Sequence, residues 1–369
     1  MKEARFLPVY EVDLDGNEEA YVLDCVRSGQ VSSLGAYVPR FESAFASFCG
    51  AKRAVSTTNG TSALHLVLAA LGIGPGDEVL VPALTFVATA NAVRYTGARP
   101  VFVDCDPARW TLSPADVERR IGPRTRAIVV VHLFGRPADM TAVLALAQAH
   151  GIPVIEDAAQ AHGAEIDGKR VGCLGTAGTF SFYGNKLMTT GEGGMITLRD
   201  ADIEQRLISL RYHGVSATER YWHEQVGFNY RMTNLQAALG CAQLERFAER
   251  FARKEQIGEW YRTLLTDVPG ICLPEPIPGA RCAPWMYTVL VQDHPSSSAA
   301  GLAARLRDEG IETRPFFHPL PTLPPYRTEE RYPVAEALAR RGLCVPSSPR
   351  LTGADVERVA DVIRRASRY

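Results

Sequence analysis

The chain has 369 residues, of which 46% are hydrophobic and 22% are charged, a composition typical of soluble globular proteins. Its formal net charge of −1 gives no electrostatic basis for binding nucleic acid or an anionic membrane surface. No apolar run reaches the ~18–20 residues that span a bilayer, and the N-terminus lacks the apolar core of a signal peptide. We therefore expect a cytoplasmic protein with one large and one smaller domain.

The eight cysteines do not form a recognisable metal-binding or disulfide pattern. No pair has the spacing of a CxxC motif, and no histidine cluster accompanies them. We expect reduced thiols and no bound metal, as is usual in cytosolic proteins.

Strand-like and helix-like segments alternate along most of the chain. Two helices are predicted at 17–28 and 38–49. From residue 51 onward, short apolar strands and amphipathic or apolar helices follow one another in this order: strand 54–58, helix 63–71, strand 78–81, helix 85–95, strands 100–103 and 127–131, helix 140–150 and strand 153–156. This alternation predicts an α/β fold with a mostly parallel sheet and helices on both faces.

The pattern changes in the last third of the chain. Strands are predicted at 179–183 and 195–198, then a helix at 203–212 and a long, interrupted helix at 234–262. After Pro269 the composition shifts to turns rich in Pro and Gly, and a compact α+β segment follows. We therefore predict a large domain at 1–255 and a small C-terminal α+β domain at 256–369.

Ligands of open α/β sheets bind where strands end, so the residues after each predicted strand are candidate site residues. The stretch 57–62 contains Gly60 and Thr61, whose backbone N–H groups at a helix start suit a phosphate. The alternative is a plain helix N-cap. In the stretch 84–89, Phe86 is able to stack on a planar ring, and the alternative is packing in the core.

Two further strand ends carry an acid and a lysine. Asp157 ends a very apolar strand, where a carboxylate needs a partner such as a protonated pyridine nitrogen; the alternative is an N-cap. Lys186 lies between a ring-rich strand and the glycine turn 191–194. Desolvation there would give the neutral amine that attacks an aldehyde, whereas the alternative is a surface lysine. Ser181 is placed to hold a phosphate of the same ligand.

A phosphate cradle, a stacking ring, an acid for a pyridine nitrogen and a Schiff-base lysine are together the requirements of pyridoxal 5′-phosphate (PLP). The sequence therefore predicts a PLP enzyme. Each structural alternative, such as an N-cap, core packing or a surface lysine, explains one stretch by itself. A single ligand accounts for all four stretches.

Six motifs resemble those of the DegT/DnrJ/EryC1/StrS family of sugar aminotransferases, and they run in the family's order over nearly the whole chain. They are Asn59-Gly-Thr-Ser-Ala-Leu-His-Leu66, Gly76-Asp-Glu-Val-Leu-Val-Pro82, Glu156-Asp-Ala-Ala-Gln-Ala161, Phe180-Ser-Phe-Tyr-Gly-Asn-Lys186, Gly191-Glu-Gly-Gly194 and Phe228-Asn-Tyr-Arg-Met-Thr-Asn234. The resemblance implies a fold type I PLP-dependent aminotransferase that acts on a nucleotide-linked sugar.

The resemblance also implies roles for single residues. Lys186 would bind the cofactor and shuttle the proton, while Asp157 would contact its pyridine nitrogen. The remaining cofactor contacts would come from Gln160 to the 3-hydroxyl, Phe86 to the ring, and Ser181, Gly60 and Thr61 to the phosphate. Asn229 would reach the phosphate across an interface, which implies a homodimer with shared active sites. Without the resemblance, turn chemistry would be the preferred explanation of Asn229.

Within the family, the stretches 221–234 and 314–326 resemble a branch that aminates GDP-4-keto-6-deoxy-D-mannose at C-4. L-Glutamate would be the amino donor, with pyridoxamine phosphate as the intermediate cofactor form. Candidate substrate residues are His318, Arg314, Tyr326 and Trp222, each of which also has a structural alternative. Competing hypotheses are a dTDP- or UDP-ketosugar aminated at C-3 or C-4, an aminocyclitol precursor, and a non-catalytic PLP-binding regulator.

Overall fold

The structure is a computed structural model that describes residues 5–199, 203–292 and 298–367. Its strands are, in chain order, β1 (Arg53–Thr57), β2 (Glu78–Pro82), β3 (Arg99–Val103), β4 (Thr125–Val131), β5 (Val154–Asp157), β6 (Glu165–Ile166), β7 (Lys169–Arg170), β8 (Ala177–Ser181), β9 (Gly194–Leu198), β10 (Ile271–Cys272), β11 (Ala280–Arg281), β12 (Tyr287–Val291), β13 (Arg314–Pro315) and β14 (Gly342–Val345).

The α-helices lie between these strands and at both ends of the described chain. They are α1 (Glu18–Ser28), α2 (Tyr37–Cys49), α3 (Gly60–Ala70), α4 (Ala88–Tyr95), α5 (Pro114–Arg120), α6 (Met140–His150), α7 (Glu204–Arg211), α8 (Asn234–Glu245), α9 (Phe247–Leu265), α10 (Ala299–Asp308), α11 (Pro333–Arg341) and α12 (Gly353–Ala366). Within the described ranges, no helix combines the length and apolar character needed to cross a membrane.

Seven strands form the central sheet in the order β1-β9-β8-β5-β4-β2-β3. Only β9 runs against the others, pairing antiparallel with both β1 and β8. Alternate residues of β4 face opposite sides, so Val129 packs in one core cluster while Ile128 and Val130 pack in another. Helices thus cover both faces, and the predicted α/β fold with a mostly parallel sheet is confirmed.

The C-terminal part contains a second sheet, with antiparallel strands in the order β10-β12-β14-β13. Its own apolar core joins this sheet to α9, α10 and α12, and includes Tyr261, Val289 and Val359. The N-terminal segment contributes Leu7 to the same core. The predicted small α+β domain is confirmed as an architecture, whereas its boundary at residue 255/256 lies inside α9 and stays a prediction.

The sequence patterns missed several short elements. Helix α5 is short and begins with Pro114 at its first position, so its pattern covers too few turns to be periodic. The sheet β11-β6-β7 consists of two-residue strands. The break predicted within 234–262 is present at Arg246, between α8 and α9.

Strands β1, β2, β4, β5 and β8 all end at the same edge of the central sheet, which we call the carboxyl edge. Four of the predicted site stretches follow these strands directly. Because β9 runs the other way, its first residue, Gly194, also lies at this edge, opposite Thr57 and Ser181.

Candidate active site

A cavity of about 660 Å³ opens at the carboxyl edge. Its walls contain eight of the residues predicted to bind cofactor or substrate, namely Gly60, Thr61, Phe86, Asp157, Gln160, Ser181, Lys186 and Arg314. The strand ends therefore bring together the residues that the sequence motifs singled out. Among residues 5–199, 203–292 and 298–367, no group of three or more His, Cys, Asp or Glu side chains is arranged to hold a metal ion.

The start of α3 forms one end of the cavity. Asn59 is its N-cap, and the Asn59 carboxamide oxygen accepts hydrogen bonds from the Ser62 amide and hydroxyl, each at 2.8 Å. A Cβ atom at Gly60 would lie 2.8 Å from Cβ of Ser181, so the glycine lets β8 approach the helix closely. This approach places the Ser181 hydroxyl beside the first backbone N–H groups of a helix, an arrangement suited to a phosphate.

The glycine turn 191–194 also belongs to this end. A Cβ atom at Gly194 would lie 2.4 Å from the Asn59 carbonyl oxygen, and Gly191 has a positive φ of 79°. Gly194 therefore stands where the turn passes close to the backbone at the start of α3, and Gly191 stands where the backbone has a positive φ.

Asp157 is the last residue of β5, and its side chain is 6% exposed. One carboxylate oxygen accepts a hydrogen bond from the Thr89 hydroxyl at 2.9 Å, and the other accepts from the Ala159 amide at 3.2 Å. Burial raises the pKa of this carboxyl, although the Thr89 and Ala159 hydrogen bonds and the Lys186 ammonium oppose the shift. Within the described part of the chain, Asp157 has no ion-pair partner, so a cationic ligand group would stabilise it.

The preceding residue, Glu156, faces the other side of the sheet, as alternation along a strand requires. Its carboxylate accepts three backbone N–H bonds at 2.7 Å, from Gly172, Leu174 and Gly175. It also lies 3.1 Å from Nε2 of the buried His132. The two adjacent acids therefore have separate surroundings, one in the cavity wall and one within the protein.

Lys186 projects its amine into the cavity. Nζ lies 4.2 Å from the centroid of the Trp285 ring. Burial lowers the pKa of this amine to about 8, while the charge of Asp157 opposes the shift. The backbone is fixed on both sides, since Lys186 N–H donates to the Tyr183 carbonyl at 2.9 Å and the Tyr10 hydroxyl donates to the Lys186 carbonyl at 2.7 Å. A substantial fraction of the amine is therefore neutral near pH 8 and able to act as a nucleophile.

Gln160 and an aromatic wall complete the inner cavity. The Gln160 side-chain oxygen accepts a hydrogen bond from the Phe134 amide at 2.7 Å. Phe134 adopts a positive φ of 53°, which is uncommon for a bulky residue, and its ring is parallel to that of Phe317, with the centroids 5.7 Å apart. Phe86 is 54% exposed and lies 5.7 Å from Phe317. These rings form an apolar surface opposite the polar strand ends.

Four predicted residues do not line the cavity of their own chain. Asn229 is exposed and forms an isolated antiparallel bridge with Tyr212. Trp222 is exposed in the same loop region, and His318 is exposed next to the lining residue Phe317. The Tyr326 hydroxyl donates to the Asn91 side chain, and its ring packs on Phe102. Their predicted roles stay predictions.

Sequence reasoning missed several residues of the site. Thr89, which holds Asp157, lies in a stretch from which only Phe86 was selected. Phe134 and Trp285 lie in no selected motif, and Phe317 lies in the stretch 314–326, from which only Arg314, His318 and Tyr326 were selected. An aromatic residue in an apolar or Pro-rich segment is typical of core packing. Their positions depend on how the C-terminal part packs against the carboxyl edge.

The arrangement fits the predicted cofactor. A buried carboxylate with no ion-pair partner among the described residues, a helix start beside a serine hydroxyl, an amine with a lowered pKa and a flat apolar wall surround one cavity. These groups match, in order, a pyridinium nitrogen, a phosphate, an aldehyde and a planar ring.

Comparison with known proteins identifies the family. The profile of the DegT/DnrJ/EryC1/StrS aminotransferase family matches residues 12–364. GDP-perosamine synthase from Caulobacter vibrioides is 48% identical over 349 residues, covering 94% of each chain. GDP-perosamine synthase from Escherichia coli O157:H7 is 41% identical, covering 97% of this chain and 98% of the other.

Among solved structures, that of S. venezuelae DesV in complex with a ketimine intermediate superposes with a TM-score of 0.93. It is 35% identical and covers 99% of this chain and 100% of its own. The fold type I architecture is thereby confirmed. The chain belongs to the DegT/DnrJ/EryC1/StrS aminotransferase family and is a PLP-dependent sugar aminotransferase.

Proposed function

We propose that this protein transfers the amino group of L-glutamate to C-4 of GDP-4-keto-6-deoxy-D-mannose, forming GDP-perosamine. The observation that carries the proposal is the cavity at the carboxyl edge, where Lys186, Asp157, Gln160 and Ser181 meet. Identity of 41–48% with GDP-perosamine synthases over most of the chain supports the choice of substrate.

PLP bound in this cavity would supply an aldehyde for amine exchange and an electron-withdrawing ring. Lys186 would hold the aldehyde carbon and afterwards act as the acid and base at the amino-bearing carbon, since its lowered pKa permits both roles near neutral pH. Asp157 would keep the pyridine nitrogen protonated, with Thr89 orienting its carboxylate.

The other residues would bind and orient the cofactor. Ser181 and the backbone N–H groups of Gly60 and Thr61 would hold the phosphate, as their closeness at the start of α3 suggests. The carbonyl of the Gln160 carboxamide is occupied by Phe134, which leaves its NH₂ group as the donor toward the 3-hydroxyl. Phe86 and the rings behind it would cover the face of the pyridine and exclude water.

Arg314 is the lining residue best suited to the diphosphate of a nucleotide sugar, because its guanidinium presents several donors in a planar fork. It lies in β13 at the rim of the cavity and is 45% exposed. His318, Tyr326 and Trp222 remain candidates for contacts with the nucleotide sugar farther from the reacting carbon.

The direct test is a product assay with glutamate as donor and three substrates in parallel: GDP-4-keto-6-deoxymannose, dTDP-4-keto-6-deoxyglucose and UDP-linked ketosugars. We expect amino transfer to the GDP sugar with at least about tenfold preference in kcat/KM over the others. Preference for a dTDP or UDP sugar would contradict the proposed substrate while leaving the aminotransferase chemistry intact. Absence of any amino transfer would contradict the whole proposal.

We further propose a homodimer in which Asn229 of each chain completes the cofactor site of its partner. Asn229 is exposed, does not line the cavity of its own chain, and lies between the half-buried Phe228 and Tyr230. The rings of Phe228 and Tyr230 hold this extended segment against the protein, while the Asn229 carboxamide between them points outward.

Subunit mixing tests this arrangement. Lys186→Ala and Asn229→Ala homodimers are each expected to be nearly inactive. After subunit exchange in equal amounts, mixed dimers carry one intact site each, which restores about a quarter of the wild-type activity. No recovery, with exchange verified by mass spectrometry, would show that Asn229 acts within its own chain, and an active Asn229→Ala homodimer would show that Asn229 has no role in the site.

A further inference from the structure

Lys254 is a buried lysine outside the cavity. Only five of the 40 Lys and Arg residues of this chain are lysines. Lys52 and Lys169 are exposed, Lys186 lies in the cavity wall, and Lys254 in α9 is 3% exposed. A fully buried ammonium is costly unless its surroundings compensate it, so its contacts reveal what it stabilises.

The partners of Lys254 are a carbonyl and an aromatic face. Nζ donates a hydrogen bond of 2.6 Å to the Trp285 carbonyl oxygen, and it lies 5.1 Å from the ring centroid of Tyr10. Over the ranges that the structure describes, no carboxylate forms an ion pair with Lys254. Burial accordingly lowers the pKa of its amine to about 7.

Both partners of Lys254 contact the cofactor lysine or its neighbour. The Trp285 indole lies 4.2 Å from Lys186 Nζ, and its Nε1–H donates to the Asn185 carbonyl at 2.7 Å. The Tyr10 hydroxyl donates to the Lys186 carbonyl at 2.7 Å. Lys254 is therefore connected to Lys186 by two routes, one through the side chain and one through the backbone.

We propose that Lys254 is a positioning residue for Lys186: by holding Trp285 and Tyr10, it sets where the Lys186 amine lies in the cavity. The inference rests on the proposed role of Lys186, but not on the identity of the sugar. Without the hydrogen bond to its carbonyl, Trp285 is held less firmly against Lys186, and water enters beside the amine. The Lys186 amine then titrates more like an ordinary lysine.

The test measures the titration of Lys186 in the apo-protein, without substrate or turnover. Competitive acetylation by acetic anhydride between pH 6 and 11, followed by mass spectrometry, reports the pKa of each accessible lysine. In Lys254→Met we expect the pKa of Lys186 to rise by about one unit. Lys254→Arg retains a donor for the Trp285 carbonyl, so in this variant the pKa of Lys186 should stay close to its wild-type value. Lys169→Met is the matched exposed control and should change nothing.

Tyr10→Phe provides a second variant that removes only the hydroxyl on the Lys186 carbonyl, in case Lys254→Met does not fold. It should raise the Lys186 pKa by a smaller amount and leave the circular dichroism spectrum unchanged. An unchanged Lys186 titration in the folded variants would overturn the proposal, and reduced stability alone would show a purely structural lysine. Failure of the proposed function is detected separately, by full turnover in Lys186→Ala.

Discussion

The two ends of the cavity differ in how their side chains are held. At the inner end, hydrogen bonds hold the predicted residues in place. The Asp157 side chain accepts from Thr89 and the Gln160 side chain accepts from Phe134. The Lys186 backbone carbonyl accepts from Tyr10. At the outer end, Arg314 is 45% exposed, and its ion-pair partner Glu312 lies 3.7 Å away. Under the proposed function, the rigid strand ends would serve the chemistry common to aminotransferases, whereas the exposed rim would serve the choice of substrate.

This contrast predicts different kinetic consequences for changes at the two ends. Variants of inner residues should lower kcat in both half-reactions, because they act on the cofactor that both share. Variants of rim residues should change only the half-reaction with the nucleotide sugar.

Lys186→Ala should have the largest effect, with turnover falling by at least about 1,000-fold, because both the amine that binds the cofactor and the proton carrier are lost. Steady-state kinetics and the absorbance of the bound cofactor measure the change. Lys169→Ala, an exposed lysine, is the control and should retain full activity. Retention of full turnover in Lys186→Ala would contradict the assignment of Lys186 as the residue that binds the cofactor and carries the proton.

Asp157→Asn should come next, lowering kcat by about 100-fold, since a neutral amide no longer keeps the pyridine nitrogen protonated. The neighbouring Glu156→Gln is the matched variant, because Glu156 lies on the other face of the sheet. It should leave kcat within about threefold, but destabilise the protein by about 1–3 kcal/mol, since its NH₂ group would oppose backbone N–H donors. Equal losses of kcat in both variants would contradict the separation of the two acids.

The lowered pKa of Lys186, about 8, predicts how fast the apo-enzyme takes up PLP at different pH values. The reactive neutral amine is a minority below this pKa, so the rate should rise about tenfold between pH 7 and pH 9 and then level off. Uptake of pyridoxamine phosphate needs no lysine nucleophile and is therefore the control. Its rate should depend little on pH. A midpoint near 10.5 in stopped-flow absorbance would show that the amine is not desolvated.

The same shift has a defined sign for stability. Lys186 releases its proton near pH 8 when folded and near its ordinary value of 10.5 when unfolded. Between these values the unfolded chain holds more protons, so this group makes the free energy of unfolding rise with pH.

The strand-end residues of the cavity could be anticipated from sequence, whereas the aromatic residues that pack against them could not. Lys186, Asp157 and Ser181 follow strands whose apolar runs are recognisable, and parallel strands necessarily end at one edge. Trp285 and Phe317 come from the C-terminal part, whose docking against that edge is fixed by long-range contacts that no local pattern encodes. The opposite direction of β9 was equally hidden, because the Met195–Leu198 run has the composition of any buried strand.

Arg314→Ala acts at the outer end and should have a smaller effect on turnover than Lys186→Ala or Asp157→Asn. If this partly exposed guanidinium pairs with the diphosphate as proposed, its loss should raise KM for the nucleotide sugar by about tenfold. The glutamate half-reaction, followed alone by the cofactor spectrum, should be unchanged, because Arg314 lies at the rim. Arg327→Ala is a nearby exposed control outside the cavity and should alter neither value. Were Arg314→Ala to slow the glutamate half-reaction as strongly as the sugar half-reaction, the two ends would not be separable, and Arg314 would belong with the residues that hold the cofactor.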